Sequence, residues 1–225
     1  MTRVKICGIT TREDLAVAVE AGADAVGFIV DVSVDSPREL SASRAVELAR
    51  ATPPFVTTVL VTMSETPEAT VDLASRIQPD VVQVHGDLTA GDLAYLSAKV
   101  SGDVTKAVTP TAAADYDTVA DALLVDSLDD DGGGGTGETH DWARTRELVE
   151  TLASPVVLAG GLTPANVGAA VETVGPYAVD VASGVERADE PGRKDPEAVE
   201  AFVAAARGRR RGTLPGSPRE EVSGS

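Results

Sequence analysis

Cysteine is nearly absent from this 225-residue chain, in which Cys7 stands alone. No intramolecular disulfide can form, and a reducing compartment, the cytoplasm, is expected. Aromatic residues make up 3% of the chain, so Val, Ala and Leu must fill any core. No run of about 18 apolar residues occurs, which excludes a membrane-spanning helix. The opening MTRVKICG lacks the apolar stretch of a secretory signal. The lysines are Lys5, Lys99, Lys106 and Lys194, and 36 acidic residues against 19 basic ones give a net charge of −17. Such a surface repels nucleic acid and anionic membranes, so neither is expected as a partner. Arg outnumbers Lys and Asp outnumbers Glu. This is the balance of a protein adapted to high salt, where screening removes self-repulsion. With His85, His140 and one cysteine, the chain is too poor in nitrogen and sulfur ligands to support a metal site.

What the chain does have is alternation. Short Val-rich runs at 4–7, 25–30, 55–61, 81–84, 104–108, 123–125, 156–158 and 178–181 are each followed by a helical stretch. Those stretches lie near 12–21, 43–51, 67–77, 90–98, 112–119, 142–152, 164–173 and 196–206. Continuous apolar strands suit a parallel sheet buried on both faces. Eight strand–helix units in about 200 residues predict a single (β/α)8 barrel over residues 1–207. Thr10 or Thr11 is expected to cap the first helix, and Thr163-Pro164 reads as a cap followed by proline at the first helical position. Residues 208–225 are rich in Arg, Gly, Pro and Ser without periodicity and read as a disordered tail. The long connections at 31–42 and 127–141 both follow strands, on the rim where barrel active sites are built.

Several ionisable groups fall at strand C-termini. Cys7 follows the first strand, His85 the fourth and Asp126 the sixth, and Asp180 lies in the eighth. Taken alone, Cys7 is a small core hydrophobe. Lys5 shares its strand face by period-two alternation, so its ammonium would favour the thiolate and lower the Cys7 pKa, or it would simply fill a polar layer of the barrel. Asp126 ends an apolar run, where burial raises a carboxyl pKa and makes a general acid; an Asx cap is the plainer alternative. His85 reads as a hydrogen-bonding strand-end residue rather than a base. Arg38 suits a bidentate grip on a carboxylate, or a surface pairing with a nearby acid. Gly160-Gly161 after the seventh strand and Ser183-Gly184 after the eighth occupy the usual phosphate position of such barrels, where bare backbone N–H groups approach an anion.

The motifs Lys5-Ile6-Cys7-Gly8, Ser36-Pro37-Arg38, Gln83-Val84-His85-Gly86, Gly134-Gly135-Thr136-Gly137 with His140-Asp141-Trp142, Ala159-Gly160-Gly161-Leu162-Thr163-Pro164 and Asp180-Val181-Ala182-Ser183-Gly184-Val185-Glu186 follow one another in order. Together they resemble the phosphoribosylanthranilate isomerase family across about residues 3–206, and Gly192-Arg193-Lys194-Asp195 fits as well. The resemblance implies an Amadori rearrangement in tryptophan biosynthesis that needs no cofactor. By it, Asp126 is the acid, Cys7 the base, Arg38 the anthranilate carboxylate contact and Asp180 a polar partner near the substrate amine. The phosphate falls to Gly160, Gly161, Ser183 and Gly184, and Gly135 to Thr136 shape a loop above it. The working form is expected to be a monomer or a homodimer. Two departures from the family pattern are acidic: Asp31 and Asp35 in one rim loop, and Asp129-Asp130-Asp131 in another. An acidic rim repels a phosphorylated, carboxylated substrate unless salt screens it.

The rival barrels fit less well. A histidine-pathway isomerase would want a second glycine pair after the third strand. An aldolase of the tryptophan synthase α type would want acids where Val30 and Val61 stand. A barrel that had lost catalysis and served as a binding subunit would have no reason to keep both Cys7 and Asp126.

Overall fold

A computed structural model describes residues 1–126 and 142–208. Eight parallel strands form a closed barrel in chain order: β1 (Arg3–Ile6), β2 (Ala25–Ile29), β3 (Thr57–Thr62), β4 (Val81–Val84), β5 (Asp103–Val108), β6 (Ala122–Val125), β7 (Val156–Leu158) and β8 (Ala178–Val181), which returns to β1. Helices α1 (Arg12–Glu20), α2 (Ala42–Ala51), α3 (Pro67–Ile77), α4 (Ala90–Lys99), α5 (Ala113–Tyr116), α6 (Trp142–Thr151), α7 (Val167–Val174) and α8 (Pro196–Ala206) follow the strands in turn. None of the described helices is long and apolar enough to cross a membrane.

Alternation along each strand divides the core. Val4, Ile6, Val26, Phe28, Leu60, Val82, Val84, Leu123 and Val179 face outward and pack with the helices. The inward faces carry two small apolar clusters, Cys7 with Val59 and Val61, and Ala107 with Leu124 and Ala159. Lys5, Gln83 and Asp180 are buried on the same inward faces. The barrel lumen is therefore polar as well as apolar, and its polar members lie just below the rim.

The opposite end of the barrel is held by a repeated device. Asp24, Asp80 and Asp121 stand immediately before β2, β4 and β6. Each carboxylate accepts a backbone N–H from the preceding odd strand, from Val4, Thr58 and Val104 respectively, all at 2.8 Å. These N–H groups lie near the sheet's lower edge, where the ladder leaves donors unpaired. Before β8 the position is Tyr177, whose ring lies 4.1 Å under the Arg3 guanidinium. Helix caps follow composition: the side chains of Thr11, Ser41, Thr66, Thr89 and Asp195 accept first-turn N–H groups.

Four local expectations need correction. The seventh helix starts at Val167 rather than Pro164, because Asn166 folds back on the loop. Its Nδ2 donates to Gly161 O (2.9 Å) and its Oδ1 accepts from Thr163 N (2.8 Å), so Thr163-Pro164 belong to a turn rather than a cap. The fifth helix is cut to four residues, since the Asp117 carboxylate turns to accept Ala153 N and Ser154 N ahead of β7. The third strand starts at Thr57, because Phe55 adopts φ +71° and is fully exposed. An unforeseen hairpin, β9 (Glu186–Arg187) and β10 (Glu190–Lys194), stands between β8 and α8. The tail expected at 208–225 lies outside the described residues except for Gly208.

Asp80→Ala removes the partners of both the Thr58 N–H and the Thr58 hydroxyl, the latter donating at 2.7 Å. Denaturant unfolding in molar KCl is expected to show a loss of about 1–2 kcal/mol with activity intact. An unchanged midpoint would remove these carboxylates from the account of stability.

Candidate active site

The strand ends converge on a cavity of about 360 Å³. Cys7, Arg38, His85, Asp126, Gly160, Gly161, Asp180, Ser183 and Gly184 all line it. Among the described residues, the expected catalytic and substrate-contact positions thus fall on one rim. Residues 127–141, including the expected Gly135–Thr136 loop, Asp129–Asp131 and His140, lie outside the described residues.

Cys7 follows β1 and is fixed by its N–H donating to Val181 O at 2.8 Å, which ties it to β8. Lys5, two residues earlier on the same face, pairs in register with Asp180 across the β1–β8 seam. Its Nζ lies 3.0 Å from Asp180 Oδ2, and both side chains are buried. Burial opposes the Lys5 charge, but Asp180 and then Cys7 outweigh it, and the ammonium titrates above its usual range. Asp180 Oδ1 is buried without a hydrogen-bond partner among the described residues, at a position that lines the cavity. An acceptor left open in this way is suited to a donor brought by a ligand.

Lys5 does pull the Cys7 pKa down, as expected, but burial outweighs it. Burial pushes the thiol up, Lys5 and Lys194 pull it down, Asp180 pushes it up again, and the net shift is upward. The cysteine is 5% exposed, and desolvating a thiolate outweighs one shared ammonium. The resting side chain is a thiol.

Sequence reasoning missed Gly27. A Cβ there would lie 2.9 Å from Cys7 Sγ and 3.2 Å from Lys5 Cε. The signal was available: Val26 and Phe28 point outward, so Gly27 points into the lumen, where a strand glycine marks close approach. Gly8 plays a similar part. It has φ +72°, and a Cβ on it would lie 2.7 Å from Arg38 Cδ. Arg38 therefore crosses directly over the residue that follows Cys7.

Arg38 pairs bidentately with Glu186, Nε to Oε1 at 2.7 Å and Nη2 to Oε2 at 2.8 Å. The acid pairing weighed from the sequence is real, yet Arg38 also lines the cavity. His85 stays neutral: burial drives its pKa down to about 3, helped by Lys5 and Lys106. Its Nε2 lies 2.6 Å from Gln83 Nε2, in keeping with a hydrogen-bonding strand-end residue. Asp126 follows β6, with its N–H donating to Val108 O at 3.3 Å.

The loops after β7 and β8 are packed backbone to backbone. A Cβ on Gly184 would collide with the Leu162 carbonyl. Gly160 and Gly161 take φ +85° and +59°. A short 3-10 turn at Ser183–Val185 follows. Small residues on both loops leave main-chain groups facing the cavity, an arrangement suited to an anion.

The family model for N-(5'-phosphoribosyl)anthranilate (PRA) isomerase matches residues 4–205. The chain belongs to the N-(5'-phosphoribosyl)anthranilate isomerase family. A family member from Natronomonas pharaonis is 64% identical over 208 residues, covering 92% of this chain and 99% of its own. One from Halobacterium salinarum is 62% identical over 211 residues, covering 92% and 96%. These relatives come from halophilic archaea, which agrees with the acidic, lysine-poor composition. Among solved structures, the phosphoribosyl anthranilate isomerase of Thermotoga maritima superposes with TM-score 0.82 at 38% identity, covering 92% of this chain and all of its own. A second isomerase structure, TM-score 0.79 at 37% identity and the same coverage, holds reduced 1-(o-carboxyphenylamino)-1-deoxyribulose 5-phosphate. The (β/α)8 architecture expected from strand alternation is that of the family.

Gly27→Ala places a methyl against the Cys7 sulfur. Steady-state kinetics are expected to show kcat reduced about a hundredfold with KM nearly unchanged, the scale for a reacting group displaced by about 1 Å. A raised KM with kcat intact would contradict this reading of Gly27.

Proposed function

We propose that the chain catalyses the Amadori rearrangement of N-(5-phosphoribosyl)anthranilate to 1-(2-carboxyphenylamino)-1-deoxyribulose 5-phosphate. The carrying observation is that Cys7, Asp126, Arg38 and two small-residue loops line one cavity. Its size and polarity suit a small molecule with an anion at each end.

Asp126 is the acid and Cys7 the base. Asp126 gives a proton to the furanose oxygen, the C1–O bond breaks, and the nitrogen lone pair forms a protonated Schiff base. As the cationic Schiff base forms, the Cys7 thiol gives up its proton to solvent, from which Asp126 regains the one it donated; the thiolate then takes the C2 proton, leaving an enolamine. That enolamine gains a proton at C1 and loses one from the C2 hydroxyl to become the ketone, so the atoms of substrate and product are the same. The two steps are electrostatically coupled. The resting thiol is disfavoured from ionising by burial. A cationic Schiff base formed beside it lowers that barrier just when a base is needed.

Gly160, Gly161, Ser183 and Gly184 hold the phosphate, Arg38 grips the ring carboxylate, and Asp180 accepts from the substrate amine through its open Oδ1. No cofactor takes part. Residues 1–207 form one catalytic domain, working in the cytoplasm as a monomer or homodimer; the Thermotoga maritima relative is described as dimeric. Nucleic acid is not a partner.

Freshly made phosphoribosylanthranilate loses its fluorescence when it is turned over. Wild-type protein is expected to accelerate that loss, with Cys7→Ser and Asp126→Asn each slower by about 10²–10⁴-fold, the usual range for a general acid or base. No fluorescence loss with wild type, or no effect of either substitution, would overturn the assignment.

A further inference from the structure

Behind Arg38 stands a carboxylate that the reaction does not touch. Glu186, at the start of β9, has a side chain only 5% exposed and takes four donors. Its Oε1 accepts from Arg38 Nε (2.7 Å) and Lys194 Nζ (2.9 Å). Its Oε2 accepts from Arg38 Nη2 (2.8 Å) and Gly192 N (3.0 Å). Burial alone would raise this carboxyl, but Arg38, Lys194 and the Gly192 N–H outweigh it and keep it ionised. Lys194, at the end of β10, is 0% exposed and also donates to Ala182 O at 3.0 Å, immediately before Ser183 of the phosphate loop. Asp14, in the first turn of α1, anchors the same hairpin, accepting the Lys194 N–H (3.1 Å) and Arg193 Nε (3.2 Å).

The stoichiometry matters. A guanidinium has five N–H donors, and Glu186 takes two of them in a planar fork. The fork fixes the plane of the group and leaves three N–H donors, two on Nη1 and one on Nη2, for a ligand. Gly8 closes the other side, since a Cβ there would lie 2.7 Å from Arg38 Cδ. A buried ion pair is weak evidence for stability, because desolvation offsets attraction. What this one provides is geometry. Arg38 and the start of the phosphate loop are both referred to one fixed carboxylate, the first directly and the second through Lys194.

We propose that Glu186 is a positioning residue for substrate recognition. It orients Arg38 toward the ring carboxylate and, through Lys194, sets that guanidinium at a defined span from the phosphate loop. One buried carboxylate thereby measures the substrate between its two anionic ends. The proposal rests on the reading of Arg38 as the carboxylate contact.

The test is the ratio of kcat/KM for N-(5-phosphoribosyl)anthranilate to that for N-(5-phosphoribosyl)aniline, which lacks the carboxylate. This ratio does not depend on the fraction of protein that is active. Wild type is expected to favour the carboxylated substrate by at least about tenfold, the scale of a lost charge-assisted bidentate contact. Arg38→Gln should abolish the preference. Glu186→Gln should reduce it to within about threefold of Arg38→Gln, through KM for the carboxylated substrate, with the aniline substrate little changed. A preserved ratio in Glu186→Gln, or an equal loss on both substrates, overturns the proposal and marks Glu186 as structural. A preserved ratio in Arg38→Gln overturns the Arg38 reading and the proposal with it. If Glu186→Gln does not fold, the double variant Glu186→Leu with Lys194→Met, which removes both buried charges together, is judged by the same ratio.

Discussion

The barrel closes where β1 meets β8, and a buried ion pair lies across that seam. Lys5 Nζ and Asp180 Oδ2 are 3.0 Å apart, on residues that pair in register. Neither charge would be tolerated there alone. Asp180 keeps Lys5 ionised, Lys5 supplies positive potential beside Cys7, and the second Asp180 oxygen stays open toward the cavity. One pair therefore joins the closure of the fold to the electrostatics of the thiol. Placing an ammonium, a carboxylate and a thiol on neighbouring inward faces is what makes the mouth of this barrel reactive rather than merely apolar.

The two ends of the barrel use carboxylates differently. At the lower end Asp24, Asp80 and Asp121 accept strand N–H groups and stay structural. At the rim Asp14 and Glu186 gather cations and main-chain donors and brace a hairpin against the start of α1 and the loops after β2 and β8. In a chain of net charge −17 these are acids with assigned partners. The glycines complement them. Gly27 leaves space for the sulfur, Gly8 for Arg38, and Gly184 for the Leu162 carbonyl.

Much of this was legible from residue order. Val-rich runs alternating with helical stretches gave the eight strands, and residues such as Cys7, Asp126 and Ser183 could be placed on the rim because they ended or followed those runs. What periodicity could not show were interactions set by distant partners. The sign of the Cys7 shift depends on how far burial outweighs Lys5, and burial is a property of the closed barrel. The β9–β10 hairpin is held by Asp14, about 180 residues away in sequence, and carries no alternation long enough to read. Thr163-Pro164 has the form of a helix cap but was displaced by Asn166, whose side chain satisfies two loop groups at once. Burial decides the first case, a distant partner the second and a competing local side chain the third.

Under the proposed mechanism the base rests as a buried thiol whose ionisation waits for a cation in the substrate. With one cysteine in the chain, thiolate absorbance near 240 nm, titrated as the difference between wild type and Cys7→Ser, reads that group directly. Cys7 is expected to titrate above the ordinary thiol value of about 8.5, and to move lower when Asp180→Asn removes the neighbouring negative charge. A thiolate already formed at neutral pH in the free protein would contradict it.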